Sequence, residues 1–337
     1  MVKGDEEMSF VDIAGNPRVK KILAKALERK RVPNSMLFTG PEGVGKKATA
    51  LVLAKALNCL RKEEDSCDSC LSCVAIEQGN FPDVMLVEAP ASVIKIDQIR
   101  MVKQMAHMKP MVGKRRVFII VDAHKMNEEA QNSLLKILEE PPPFTHIILI
   151  TSNPYLILPT VKSRCQILAF SRISKEEIEK ILNDRGYEKE QAQLISLIVR
   201  GNLEKALSLE WEDVQRRRKE AWTHFLSLLH REDISSLVEN YTSGRKRIQR
   251  DELEELFDFF SSFCRDFILV KEGGERSHLL NPDLETEIGR EERDFSLEQM
   301  TEALKQIDFA IHALNRNVNV NLLVSYFYSN FLEGENV

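Results

Sequence analysis

The first 170 residues alternate short apolar runs with amphipathic stretches, and this alternation constrains the fold more than any other feature of the chain. The runs are rich in β-branched or aromatic residues and are flanked by turn or polar residues, which is typical of buried strands. Strands that alternate with helices predict a parallel sheet covered on both faces, and therefore an α/β domain. The predicted strands are Ser35–Phe38, Val84–Val87, Val117–Val121, Ile147–Ile150 and Gln166–Phe170, and the predicted helices are Lys46–Leu60, Asp97–Met108 and Asn127–Leu138.

Beyond Phe170 the apolar spacing is helical. Ser174–Glu177 has the form of a capping box, which opens a helix, and the polar, glycine-containing stretch Lys271–Arg293 predicts a connector between later helices. The breaks in pattern predict three parts: the α/β domain at 1–170, a small helical domain at 171–210 and an all-α domain at 211–337.

Composition excludes several classes of protein. Apolar residues make up 43% and charged residues 29%, as in ordinary globular domains. A net charge of −5 provides no overall cationic field for nucleic acid, so any DNA contact is expected to be local or shared with partners. No apolar run approaches the roughly 20 residues of a membrane span, and the N-terminus carries acids where a secretory signal is apolar. We expect neither export nor membrane insertion.

A glycine-rich loop, Gly40–Lys46, joins the first predicted strand to a predicted helix. In phosphate loops of the form G-x-x-x-x-G-K-[ST], backbone N–H groups surround phosphate oxygens, the Lys reaches the terminal phosphates and the hydroxyl ligates Mg²⁺. Here Lys47 replaces the hydroxyl residue, and an ammonium group repels Mg²⁺. Thr49 cannot substitute, because two helix residues rotate a side chain by about 200°. The loop residues are Gly40, Gly43, Gly45, Lys46 and Lys47, and the alternative is an ordinary strand-to-helix turn.

A second site feature follows the strand Val117–Val121. Asp122 stands where P-loop proteins place an aspartate that helps to hold Mg²⁺. Related ATPases commonly follow it with a glutamate that polarises the attacking water, but this chain has Ala123. The alternative, in which Asp122 only ends a strand, leaves its pairing with the glycine loop unexplained.

The cysteines indicate a metal site. Of six in the chain, Cys67, Cys70 and Cys73 lie at two-residue gaps, and Cys59 precedes them. Four thiolates in a reducing compartment are typical of structural zinc. An iron–sulfur cluster and free thiols are the alternatives that the residues leave open.

Three basic segments have a simple surface interpretation. Arg164, between Pro159 and the last strand, is by itself most simply a solvated residue. The groups Arg216–Lys219 and Arg245–Arg247 with Arg250 are flanked by acids, which favours solvated helix faces over contact with single-stranded DNA.

Taken together and in this order, these segments resemble the bacterial clamp-loader subunits of the AAA+ class that serve the DNA polymerase III holoenzyme. The resemblance covers nearly the whole chain, and two of its motifs are specific to clamp loaders: Leu-Leu-Lys-x-Leu-Glu-Glu-Pro-Pro and Ser-Arg-Cys. The segments that carry it are Phe10–Asn16, Gly40–Lys46, the four cysteines, the strand that ends at Asp122, Asn132–Pro142, Thr151–Asn153 and Ser163–Cys165.

The resemblance implies an AAA+ ATPase-like α/β domain, a helical lid and a helical collar that assembles subunits into a ring. It implies the gamma/tau and delta subunits as partners, with the sliding clamp and primer–template DNA reached through the complex. The implied location is the bacterial cytoplasm, without a membrane contact.

The resemblance also implies residue roles. Lys47, Ala123 and Glu204 depart from the hydrolysing members at three catalytic positions. Arg164 matches the arginine that enters the nucleotide site of the next subunit, and Asn153 matches the first sensor. The leading hypothesis is a subunit without ATPase activity of its own, carrying structural zinc. The alternatives are a working ATPase that relies on Lys46 and Asp122, and a zinc-bearing nucleic-acid binding module. Whether the loop still holds ATP without Mg²⁺ stays open.

Overall fold

The computed structural model describes residues 9–10, 12–62, 65–90, 93–230, 250–316 and 318–333. They fall into two compact units, one within residues 1–177 and 201–204 and the other within 178–200 and 205–337. Within the described ranges no helix has the length and apolar character needed to cross a membrane. The division into three domains stays a prediction.

The first unit is built on a parallel five-stranded sheet with the order β2-β3-β4-β1-β5. All five predicted strands are confirmed, with ends that differ by at most two residues. The strands are β1 (Ser35–Thr39), β2 (Val84–Val87), β3 (Arg116–Ile120), β4 (Thr145–Thr151) and β5 (Gln166–Ala169).

Helices cover both faces of this sheet. Alternation along β1 shows the division, because Met36 and Phe38 join the core layer beneath α1 and α2 while Leu37 joins the layer beneath α4 and α5. The three predicted helices are confirmed, and Asn127 caps one of them by accepting a hydrogen bond from the Ala130 N–H at 2.9 Å. The helices are α1 (Pro17–Glu28), α2 (Lys46–Asn58), α3 (Leu71–Glu77), α4 (Ile96–Ala106), α5 (Glu128–Glu139) and α6 (Pro159–Lys162).

The second unit is helical, as the spacing predicts. Its core is a cluster of fully buried phenylalanines on α10 and α11, among them Phe225, Phe260 and Phe263, beside Trp222. Within the described residues the helices are α7 (Lys175–Asp184), α8 (Lys189–Ile198), α9 (Leu203–Ser208), α10 (Trp211–Leu229), α11 (Arg250–Lys271), α12 (Glu285–Glu291), α13 (Leu297–Asn315) and α14 (Val320–Glu333), and of these α7 and α9 begin in the first unit.

The stretch Lys271–Arg293 is more than the predicted connector, because it contains α12 and is anchored in the core. The buried carboxylate of Asp266 accepts hydrogen bonds from the N–H groups of Leu280 at 3.0 Å and Asn281 at 2.7 Å. Polar groups of the stretch Lys271–Arg293 thus form part of a buried hydrogen-bond network. The sequence alone does not distinguish such buried polar residues from solvated ones.

His146 makes the first unit sensitive to acid. The ring lies on β4, is 3% exposed, and its Nδ1 is 3.0 Å from the Pro33 carbonyl oxygen. Burial, with a smaller contribution from the positive charge of Arg115, lowers the pKa of His146 from 6.5 to about 4. Between these values the unfolded chain binds a proton that the folded chain does not, so stability falls as pH drops from 6.5 to 4.

We expect the His146 ring to lower the free energy of unfolding by about 3 kcal/mol as the pH drops from 6.5 to 4. Urea unfolding of the full chain and of His146→Gln, each at pH 7 and pH 4, measures this difference. An equal loss of stability in both proteins would contradict the assignment.

Candidate functional site

Three of the sequence-predicted segments meet at the carboxyl edge of the sheet. β3, β4 and β1 are adjacent and parallel, so the chain segments that follow them, Asp122, Thr151–Asn153 and Gly40–Lys46, lie side by side. The N–H of Gly40 donates to the carbonyl oxygen of Thr151 at 3.2 Å.

The loop requires glycine at two positions. Gly40 has φ +143°, and a Cβ there would stand 2.3 Å from the Phe170 carbonyl oxygen. Gly43 has φ +65°, and a Cβ there would stand 1.6 Å from Asn202 Oδ1. The N–H of Leu203 donates to the Gly43 carbonyl at 3.0 Å. The segment 201–204 therefore lies directly on the loop.

Lys46 lies inside the loop. Its side chain is buried, and its ammonium group donates to the carbonyl oxygens of Gly40, at 2.7 Å, and Pro41. Burial lowers the pKa of Lys46, while the charges of Glu42, Asp122 and Glu204 partly offset this effect. Glu204, which the family resemblance predicts at a catalytic position, is thus close enough to act on this lysine.

Neither Lys47 nor Thr49 presents a free hydroxyl group at the loop. Lys47 Nζ pairs with Glu88 Oε1 at 2.7 Å, just beyond the end of β2, and both side chains are about half exposed. Thr49 is fully buried and donates its hydroxyl to the Gly45 carbonyl oxygen at 2.7 Å. Glu88 was missed by sequence reasoning, although its place after a strand was a usable signal.

The carboxylate of Asp122 forms an ion pair with Lys125, three residues further along the same turn. Its Oδ2 lies 2.9 Å from Lys125 Nζ, and this hydrogen bond, together with the charge of the carboxylate, raises the pKa of Lys125. The next residue, Ala123, is fully buried at the start of a short 3₁₀ turn. A methyl group there can neither accept a proton nor orient a water molecule.

Asn153 has a local structural role. Its Oδ1 accepts from the Tyr155 N–H at 3.3 Å and caps the turn Pro154–Leu156. Its own N–H donates to Thr151 Oγ1 at 3.1 Å, and the same hydroxyl lies 3.1 Å from His124 Nδ1. A sensing role for Asn153 stays a prediction.

Arg164 is held next to the C-terminus of α5. Its Nε donates to Glu139 Oε2 at 3.1 Å and its Nη1 to the Thr160 carbonyl oxygen at 3.1 Å, and the side chain is 31% exposed. Neither partner belongs to the phosphate loop. Glu139 lies within the Leu-Glu-Glu-Pro-Pro motif. Like Glu88, it is an ion-pair partner that the sequence did not identify.

The four predicted cysteine ligands come together. Their sulfur atoms all lie within 4.8 Å of one another, and four thiolates around a tetrahedral zinc ion, at about 2.3 Å each, are roughly 3.8 Å apart. The donor set therefore fits a structural zinc ion. Burial disfavours the thiolate of Cys67, but N–H donors from Ser69 and Cys70 and the Cys59 thiol outweigh it and lower its pKa to about 6.

A buried lysine ties the cysteine loop to α2. Lys55 is 2% exposed, and its ammonium group pairs with Asp68 at 2.9 Å and with Glu77 at the end of α3. Burial lowers the pKa of Lys55, but hydrogen bonds and charge from Glu77 and Asp68 outweigh it and the pKa is raised. The loop is thus positioned by an ion pair that its sequence pattern did not reveal.

The first basic group is ion-paired in the second unit. Arg216 pairs with Asp213 at 2.7 Å and Arg217 Nε with Glu255 Oε1 at 2.7 Å. Arg218 is buried and donates to Asp283 at 2.9 Å. The group Arg245–Arg247 lies outside the described residues.

The sheet order, glycine loop and strand-end aspartate are those of a P-loop domain of the AAA+ class. A family model described as "DNA polymerase III, delta subunit" matches residues 15–174. The DNA polymerase III subunit delta' of Bacillus subtilis is 30% identical over 94% of this chain and 96% of its own length. The chain belongs to this delta-prime family of DNA polymerase III subunits.

Further similarities cover less of the chain or are more distant. The DNA polymerase III subunit tau of Bacillus subtilis is 36% identical over 59% of this chain and 37% of its own length. A gamma subunit-related protein of Thermotoga maritima, a solved structure, is 18% identical, with a TM-score of 0.42 over 93% of this chain and 98% of its own.

Proposed function

We propose that the chain is a subunit of the bacterial DNA polymerase III clamp loader that does not hydrolyse ATP and that supplies Arg164 to the nucleotide site of a neighbouring subunit. The observation that carries this proposal is the contrast between the two sites. The chain's own phosphate loop has lost its metal and water-activating groups, while Arg164 is held at the surface by side-chain and main-chain partners outside that loop.

Three changes act together against hydrolysis. Lys47 puts a cation where Mg²⁺ needs an oxygen ligand, Ala123 provides no proton acceptor, and Glu204 brings a carboxylate near the lysine that would meet the phosphates. Phosphoryl transfer depends on positioning and on neutralising negative charge. Each change weakens one of these contributions, so no single substitution is expected to restore turnover.

Arg164 has the chemistry for action in trans. A guanidinium group is planar, permanently charged and donates several hydrogen bonds in a fixed fork, which suits a transferring phosphoryl group. The exposed Glu139 pair holds the side chain but contributes little stability, since such pairs are worth about 0–1 kcal/mol. A nucleotide on a neighbour can therefore replace Glu139 at low cost.

The proposed function implies partners and a cofactor. This chain completes a ring with the gamma/tau and delta subunits, and the ring loads the sliding clamp on primer–template DNA in the bacterial cytoplasm. A zinc ion held by the four cysteines stabilises the loop between α2 and α3, and no step of the reaction passes through it.

ATP turnover by the purified chain tests the first half of the proposal. We expect no magnesium-dependent phosphate release above background, because Lys47 and Ala123 stand where the reaction needs a hydroxyl and a carboxylate. The gamma/tau subunit in the same assay is the positive control. Hydrolysis that disappears in Lys46→Ala would instead support a working ATPase.

A further inference from the structure

A cavity of about 540 Å³ opens at the amino-terminal edge of the sheet in the first unit. Residues from the ends of α1 and α2, the starts of β1 and β4, and the turn before β3 line it. This is the edge opposite the phosphate loop, which follows the carboxyl end of β1. Small-molecule sites have volumes of roughly 300–1,000 Å³, so the cavity is large enough for an organic ligand.

The charge of this cavity is unusual for a chain with a net charge of −5. Four lining residues are cationic, and none of the described residues that line it carries a carboxylate: the cations are Lys30, Arg31, Lys114 and Arg115. Lys114 Nζ donates to the Cys59 carbonyl at 2.6 Å and Arg115 Nη1 to the Pro143 carbonyl at 3.1 Å. Carbonyl partners leave the positive charges of Lys114 and Arg115 unneutralised.

Other arginines of the same unit are paired differently. Arg116 lies against Asp83 at 2.8 Å and Arg100 against Asp97 at 3.0 Å. Across the described ranges, no carboxylate pairs with Arg31, Lys114 or Arg115. Clustered cations without counter-charges repel one another, and a bound anion relieves that repulsion.

The turn that carries two of these cations is rigidly placed. Asp83 is buried and accepts hydrogen bonds from the N–H groups of Met111 at 2.9 Å, Val112 at 2.8 Å and Gly113 at 2.8 Å. Next along the chain, the Arg115 N–H donates to Asn58 Oδ1 at 2.9 Å. Groups fixed in this way lose little entropy when a ligand binds.

The rest of the lining is apolar or able to form hydrogen bonds. Leu27, Val32 and Leu57 provide aliphatic surface, and Asn34 and His146 provide polar atoms. We propose that this cavity binds a nucleotide unit, with the phosphate on the cationic side chains and the base against the aliphatic ones. The unit comes either from a free nucleotide or from a single-stranded nucleic acid, since both present the same phosphate and base.

Binding to the full-length chain tests this proposal. The probes are ADP without Mg²⁺ and an oligothymidylate of about ten nucleotides, measured by isothermal titration and by NMR of the His146 ring. We expect binding that shifts the His146 signals. Arg31→Ala with Arg115→Gln is expected to weaken it by about tenfold or more, as loss of charge-assisted hydrogen bonds does.

A control variant and the position of the NMR signal separate this cavity from other sites. Arg29→Ala removes an exposed cation two residues from Arg31 that does not line the cavity, and we expect it to bind both probes as the parent does. His146 lines the cavity, at the edge of the sheet opposite the phosphate loop, so a ligand bound only to that loop leaves the His146 signals unshifted. Thermal melting checks that the double variant is folded. If it is not, Arg31→Ala alone replaces it.

Three results would overturn the proposal: no binding of either probe at millimolar concentration, equal weakening by Arg29→Ala, or binding that leaves the His146 signals unshifted. The first shows that the cavity does not take the proposed ligand, the second indicates diffuse surface charge and the third indicates the phosphate loop. Tighter binding of the oligothymidylate than of ADP identifies nucleic acid as the source, and the reverse identifies the free nucleotide. The outcome does not depend on the role proposed for Arg164.

Discussion

Truncation of Arg164 is expected to abolish hydrolysis at one ATP site of the assembled ring while leaving the ring intact. Arginine fingers accelerate phosphoryl transfer by about 10³- to 10⁵-fold. In Arg164→Ala the rate of ATP hydrolysis at the neighbouring site is therefore expected to fall by a factor in that range. The measurement is DNA-stimulated ATP turnover by the chain reconstituted with its gamma/tau and delta partners, with size-exclusion chromatography to confirm assembly.

Arg100→Ala is the matched control for that experiment. Arg100 also forms an exposed ion pair, with Asp97 at 3.0 Å, but does not belong to the Ser-Arg-Cys motif. Its removal is expected to leave turnover unchanged. Arg164→Lys keeps the charge but loses the planar fork, so we expect an intermediate rate. Full-speed turnover by the Arg164→Ala ring would exclude the trans role.

Removal of one cysteine ligand is the second change with a large expected effect. Structural zinc sites contribute apparent free energies of about 10–16 kcal/mol in zinc-finger peptides near neutral pH. The loop between α2 and α3 has little apolar content of its own, so Cys73→Ser is expected to lose the metal and the packing of α3 against α2. Metal analysis of the purified chain should give one zinc per parent molecule and none in the variant.

Cys165→Ala provides the control for the metal experiment. Cys165 lies outside the cluster, and burial raises the pKa of its thiol to about 12. Zinc content is expected to be unchanged in that variant. Iron with visible absorption would identify a cluster of another kind, and a metal-free parent chain with full thermal stability would favour free thiols.

Much of this architecture could be predicted locally. Strand and helix periodicity is a property of neighbouring residues, and for that reason all five strands of the sheet were predicted within two residues of their ends. The cysteine spacing also limited the ligands to a single loop and the end of one helix, and the four sulfur atoms do converge.

The partners of the site residues could not be predicted in the same way. Glu88, just beyond the end of β2, forms an ion pair with Lys47 of α2. Glu139 pairs with Arg164, which lies 25 positions further along the chain. Such pairs depend on which loops the sheet order brings together, and that order is not encoded in any short window. The cationic cavity has the same origin, because it gathers Arg31 and Arg115 from separate turns.

The sequence by itself determined the α/β alternation, the departures from the phosphate-loop motif, the four cysteines as candidate metal ligands and Arg164 as the residue to test, since each depends on residue identity at short spacing. Only the tertiary structure decided what surrounds them: Lys46 within the loop carbonyls, Asp122 beside Lys125, Arg164 beside Glu139 and a cavity without carboxylates among its described lining. The physical reason is that charge and burial act through space, between residues that the fold brings together from distant parts of the chain.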